Sequence, residues 1–205
     1  MDIASILLSF GVVLVSLTVH EWAHAWTADR LGDPTARLLG RVSFNPIVHI
    51  DPIGTILLPL VAMFSGFPIL GWAKPVPVNT SQLRSPKRDF MIVAAAGPLS
   101  NLIQAAIAAA IFHAVGGFAE AGQMGVARIL LMAVSINLLL AVFNMIPVPP
   151  LDGGNVLAGL LPDSMGGLLQ GMRQYGFIIL YALMLSGILW QIVDPPYKFL
   201  LRLML

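Results

Sequence analysis

Apolar residues run through this chain in long unbroken stretches, with little of the alternation that marks a half-buried helix or strand. No Asp, Glu, Lys or Arg occurs in residues 52–73, 90–119, 129–151 or 174–193, and about 20 apolar residues are enough to cross a bilayer. The first stretch, Ile3 to Ala28, is apolar apart from His20, Glu21 and His24 near its end. It has neither a basic leading region nor a small-residue cleavage pattern, so it reads as a retained span and not as a signal peptide. Further spans are expected at about Phe90–Val115, Val126–Ile146 and Tyr175–Val193, with Gly-rich turns at Gly116-Gly117 and Gly166-Gly167 between them. Pro52–Leu70 is apolar but interrupted by Gly54, Pro59, Gly66 and Pro68, which suits no straight helix. On either side of it, Ala36–Phe44 is a candidate short strand, and Gly71–Asn79 reads as extended because Pro75 and Pro77 fix φ. Tyr197–Leu205, with Lys198 and Arg202, has the look of an interfacial amphipathic tail. The expected architecture is an all-α polytopic membrane protein, one domain over residues 1–205. It would hold about four to six transmembrane helices, with a short re-entrant or β segment after the first, the count depending on Pro52–Leu70 and Val156–Leu161.

Composition agrees with this pattern. Hydrophobic residues make up 58% of the chain and charged ones 10%, against roughly 25% charged in soluble domains, which excludes a water-soluble globule. The net charge of +1 and the scattering of the 11 Lys and Arg between spans exclude a nucleic-acid partner. With no cysteine there is no disulfide, thiolate metal site or thiol nucleophile, so any metal falls to His, Asp or Glu. Lys and Arg mark the cytoplasmic side of short loops. Arg30, Arg37 and Arg41 precede Pro52–Leu70, and Lys74, Arg84, Lys87 and Arg88 follow it. A re-entrant hairpin would put both groups in the cytoplasm, with the amino terminus outside. Residues 116–125, on the outer side, then carry Glu120 and no Lys or Arg.

The chemistry centres on His20-Glu21-Trp22-Ala23-His24, a His-Glu-x-x-His pattern. Residues i and i+4 share a helix face, so His20 and His24 can offer imidazole nitrogens to one ion while Glu21 stands beside it as a base. Chance patterns of this length occur on solvated helix faces. Here, however, each ionisable group costs about 2.5–3.5 kcal/mol to insert near the membrane centre, and three occur together. A third ligand should also be an intramembrane acid. Asp152 follows the charge-free run 129–151 in Asn144-Met-Ile-Pro-Val-Pro-Pro-Leu-Asp-Gly-Gly154, where prolines unwind the chain and glycines allow close approach. Alone it would read as a cap or turn residue; with the first motif it reads as a ligand. Zinc suits imidazole and carboxylate donors.

These motifs resemble the site-2 proteases, the family of polytopic intramembrane zinc metalloproteases. His20 to His24 resembles the family's first motif. Leu151-Asp152-Gly153, after a proline-broken helix containing Asn144, resembles the second, and Gly97-Pro98-Leu99-Ser100-Asn101 matches a further pattern. The resemblance covers nearly the whole chain. It implies His20, His24 and Asp152 as ligands of one Zn2+, Glu21 as catalytic base, Asn144 as a stabiliser of the oxyanion, and Asn101 as a packing or site-lining residue. Neither a PDZ nor a CBS domain fits in 205 residues, and the segment from Asn45 to Gly54 resembles that of a compact subgroup lacking PDZ. Within it, His49 and Asp51 are candidate site-lining or gating residues, against a reading as hydrogen-bonded loop residues; His113 reads as structural.

The implied reaction is hydrolysis of peptide bonds within or next to transmembrane segments of membrane proteins, in a prokaryotic cell membrane, with the site nearer the cytoplasmic side. The substrate would unwind and lie along an extended edge, Ala36–Phe44 or Lys74–Val78. An intramembrane metal-ion transporter is the alternative, since His, Asp and Glu in spans also line ion pathways. A transporter commonly shows inverted repeats, and none is visible. An inactive scaffold has no need of Glu21 between two ligands. Oligomeric state is not legible.

Overall fold

The structure, a computed structural model, describes residues 3–58, 60–61, 71–117 and 124–205. Helix α1 (Ile3–Arg30) runs unbroken through the polar trio. A four-residue helix α2 (Thr35–Leu38) follows, then a 3-10 turn (Pro46–His49), a π-helical turn (Pro52–Leu57), an extended stretch over residues 71–79 and another 3-10 turn (Thr80–Gln82). Helices α3 (Pro86–Ala114), α4 (Met124–Asn144), α5 (Asp152–Leu160), α6 (Gly166–Leu185) and α7 (Ile188–Met204) complete the chain.

The central element is α3, which packs against α1, α4 and α5. Its composition explains the position. Ala105, Ala108 and Ala109 are buried against Val134 and Leu138 of α4, and small side chains let helix backbones approach closely where lipid supplies no hydrophobic drive. Pro98 lies inside α3 without ending it, as neighbouring helices permit in membrane spans. A second apolar cluster joins Ile146 and Leu151, flanking the proline loop, to Leu180 and Met184 of α6 and Leu189 and Val193 of α7. That cluster holds the Asp152 loop against the last two helices.

Among the described residues three helices, α1, α3 and α4, are long and apolar enough to cross a membrane, and a fourth is counted if α6 and α7 form one bent span. The expected single span Tyr175–Val193 is therefore broken. The two helices meet at 80°, and Gly187 between them has φ +77°, a left-handed conformation that stops a helix and that glycine adopts without steric cost. The apolar piece Val156–Leu161 falls largely within α5, and the tail Tyr197–Leu205 largely within α7.

Ala36–Phe44 does not form a strand, and none occurs among the described residues. Asp33 starts a helical turn by accepting from the Thr35 N–H at 3.0 Å and from the Thr35 hydroxyl at 2.5 Å. Gly40, with φ +68°, ends it, and Arg41 N–H then reaches back to Ala36 C=O at 2.8 Å. Gly71–Asn79 is extended, as its prolines dictate. Its start pairs with the π-helical turn and the preceding 3-10 turn: Trp72 N–H donates to Gly54 C=O at 3.1 Å and Lys74 N–H to His49 C=O at 2.9 Å. Residues 59 and 62–70 of the expected Pro52–Leu70 segment, and Glu120, lie outside the described residues.

Candidate metal centre

His20 and His24 sit one turn apart on α1, both buried, at 4% and 8% exposure. Asp152 is the first residue of α5, where a helix N-terminus favours a negative side chain. The fold brings the three together. His20 Nε2 lies 3.1 Å from Asp152 Oδ2, His24 Nε2 lies 3.4 Å from Asp152 Oδ1, and the two Nε2 atoms are 3.0 Å apart.

Hydrogen bonds to the far side of each ring fix what those nitrogens present. His24 Nδ1–H donates to Val93 C=O at 2.7 Å; a carbonyl only accepts, so Nδ1 carries the proton. His20 Nδ1 meets Asn101 Oδ1 at 2.6 Å. The orientation of Asn101 is set through a chain anchored on a backbone carbonyl. Asn137 Nδ2 donates to Ala133 C=O at 2.9 Å and to Ser16 Oγ at 2.9 Å, so Asn137 Oδ1 accepts from Asn101 Nδ2 at 2.8 Å. Asn101 Oδ1 is thereby left for His20 Nδ1–H. With each Nδ1 engaged behind it, each ring turns Nε2, its other nitrogen able to ligate a metal, toward the Asp152 carboxylate.

Zinc fits these donors. Tetrahedral zinc with bonds of about 2.0–2.1 Å separates its ligand atoms by about 3.3–3.4 Å, close to the observed 3.0, 3.1 and 3.4 Å. Space has been kept clear as well. Gly97 of α3 faces the donors, and a Cβ placed on it would lie 2.4 Å from His24 Nε2 and 2.5 Å from His20 Nε2. Among the described residues this trio is the one cluster of His, Asp and Glu able to hold a metal.

Glu21, 8% exposed, projects into the same cavity of about 590 Å3, which is also lined by Trp72, Val76, Phe143 and Asn144. Its Oε2 accepts the Val76 N–H at 3.2 Å. The structure thus unites His20, Glu21, His24, Asp152 and Asn144 around one space, with Asn101 behind a ligand. It leaves His49 and Asp51 in the loop. His49 is buried with Nε2–H donating to Ser43 C=O at 2.8 Å, and burial pushes its pKa below the usual imidazole value. Asp51 caps the π-helical turn through Ile53 N–H and Gly54 N–H. His113 donates to Met204 C=O at 2.9 Å, fastening α3 to α7. Sequence reasoning named Gly97 within the Gly97–Asn101 pattern without its role against the imidazoles, and missed Asn137, whose signal is an amide within an apolar run.

Comparison with known proteins agrees with this geometry. The profile of peptidase family M50, the family of the site-2 proteases, matches residues 8–121 and 110–187. The chain is 38% identical over 199 residues to "Putative zinc metalloprotease YwhC" of Bacillus subtilis, covering 93% of this chain and 88% of that protein. Rip2 of Mycolicibacterium smegmatis, which carries the same designation, is 31% identical over 84% of this chain and 64% of its own length. Rip2 of Mycobacterium tuberculosis is 30% identical over the same shares. No solved structure matches. On the strength of the match along most of its length, the chain belongs to peptidase family M50.

Proposed function

We propose that this protein is an intramembrane zinc protease that hydrolyses peptide bonds within or next to transmembrane segments of membrane proteins, as in regulated intramembrane proteolysis. The observation that carries the reading is the convergence of two imidazoles and a carboxylate on one point, with Glu21 beside them in a cavity among apolar helices. His20, His24 and Asp152 would hold one zinc ion, which would supply a bound water of lowered pKa and a Lewis acid for the scissile carbonyl. Glu21, anchored through Oε2, takes the proton on Oε1 and returns it to the leaving nitrogen. Asn144, on the cavity wall, donates its amide N–H to the developing oxyanion, an interaction of about 2.7–4 kcal/mol where such donors have been removed from other enzymes. His20 and His24 lie six to ten residues before the end of α1, roughly 9–15 Å at 1.5 Å per residue. The site is thus nearer that end, and the basic loops support a cytoplasmic position for it.

The test is zinc content together with cleavage of a panel of single-span membrane proteins in liposomes, for the wild type and Glu21→Gln. Glutamine keeps shape and polarity but takes no proton. We expect about one zinc per chain in both proteins, and a loss of cleavage of at least 10²-fold in the variant. Equal cleavage by both proteins overturns Glu21 as base. Zinc binding with no cleavage, and zinc flux across the liposome wall, would establish a transporter instead.

A further inference from the structure

The extended stretch beside the cavity is tied down along its length. Trp72 N–H donates into the π-helical turn and Lys74 N–H to His49 of the preceding 3-10 turn, and Asn79 N–H donates to the buried Asp33 Oδ2 at 2.6 Å. From the loop after α2, Arg41 donates Nη2–H to Lys74 C=O at 2.5 Å and Nη1–H to Pro75 C=O at 3.3 Å. Pro75 and Pro77 have no amide hydrogen, so residues 75–77 contain a single backbone donor, Val76 N–H, and it is given to Glu21 Oε2.

Arg41 itself is an unusual residue. It is 5% exposed, its Nε–H is buried without a partner, and it forms no salt bridge among the described residues. Burial pushes its pKa below the ordinary guanidinium value while the nearby charge of Glu21 opposes that shift. Burying a guanidinium costs free energy, and two hydrogen bonds to backbone carbonyls are what its side chain gains there. What the side chain accomplishes is to fix two consecutive carbonyls immediately before the one amide that holds Glu21.

We propose that Arg41 is a positioning residue for Glu21, acting through the Lys74–Val76 backbone, which it clamps so that the Val76 amide holds one carboxylate oxygen and leaves the other for proton transfer. The inference rests on the reading of Glu21 as general base.

The experiment compares zinc-loaded wild type with Arg41→Met and Arg41→Lys, using Arg37→Met as control, since Arg37 is exposed and pairs only with Asp29 on the surface. Hydrogen–deuterium exchange of the peptide covering residues 71–79 reads the clamp directly. Zinc stoichiometry, kcat and KM on a cleaved panel member read the site. Arg41→Met is expected to exchange faster across 71–79, keep about one zinc, and lose roughly 10- to 100-fold in kcat with KM within about twofold, as a displaced catalytic group would. Arg41→Lys should fall between it and the wild type, and Arg37→Met should match the wild type throughout. Unchanged exchange or unchanged kcat in Arg41→Met overturns the proposal, and so does loss of zinc, which would make Arg41 a structural support of the ligands. Wild-type cleavage by Glu21→Gln would instead sink the assignment of the base, and the exchange data would still decide whether Arg41 tethers the extended stretch.

Discussion

A methyl group on Gly97 would stand 2.4 Å from one ligand nitrogen and 2.5 Å from the other. Gly97→Ala is therefore expected to weaken zinc binding by at least the roughly 10–100-fold that lost support around a metal site produces, and to abolish cleavage. Helix α3 itself should not suffer, because alanine is about 1 kcal/mol better than glycine in a helix interior. Competition with a zinc chelator, alongside circular dichroism, separates the two effects: affinity falls while helix content stays. An unchanged affinity would mean that α3 can withdraw from the imidazoles. The bond from Asn101 to His20 belongs to the same scale. One backbone carbonyl, that of Ala133, sets the direction of two amides and thereby the proton position on a ligand three side chains away.

At the scale of elements, Asp152 depends on how closely the Pro147–Leu151 loop can be approached from two sides. A Cβ on Gly153 would fall 2.3 Å from Met145 O, and one on Gly176 of α6 would fall 2.0 Å from Pro149 O. Gly176→Ala forces backbone apart, at about 1–3 kcal/mol for overpacking, and pushes the loop that carries Asp152. Lower stability to unfolding in detergent and a measurable loss of zinc affinity should appear together. Lost stability with zinc affinity intact would show that α6 supports the loop without placing the ligand. The sequence announced some of these elements and hid others. His20 and His24 were legible because an i, i+4 spacing dictates a common face, and α1, α3 and α4 because apolar length alone defines a span. The break at Gly187 lay inside the charge-free run 174–193, where hydropathy is blind to a positive φ. Ala36–Phe44 suggested a strand by residue preference, but Asp33 and Gly40 cap a helical turn there, and local hydrogen bonds overrode the preference. Gly97, Asn137 and Arg41 matter through partners dozens of residues away, which no local pattern reveals.

Taken as a whole, the molecule brings residues 31–33 and residues 79–84 together at one end of the bundle. Leu31, just past α1, accepts from Arg84 N–H at 3.2 Å, and Asp33 accepts from Asn79 N–H at 2.6 Å. The end of α1 and the start of α3 are thus neighbours, and both basic groups, Arg30 to Arg41 and Lys74 to Arg88, fall at that end. Seven of the 11 Lys and Arg lie in these two groups, so the charge rule makes a cytoplasmic position for the shared end the expectation to test. The opposite end holds the start of α1 and the start of α4, joined by Arg128 Nη2 donating to Ser5 Oγ at 2.6 Å. The sequence contains no cysteine, so single substitutions report sidedness without background. Leu39→Cys and Gln82→Cys, both at exposed positions, should react with a membrane-impermeant maleimide in inverted vesicles and stay unlabelled in intact cells. Ala114→Cys, at the end of α3, should show the reverse. Opposite labelling of Leu39→Cys and Gln82→Cys would mean that the chain between them crosses the membrane, which the hydrogen bonds joining residues 31–33 to residues 79–84 forbid. Labelling of both from outside would keep the fold and invert it, placing the zinc ligands toward the outer face.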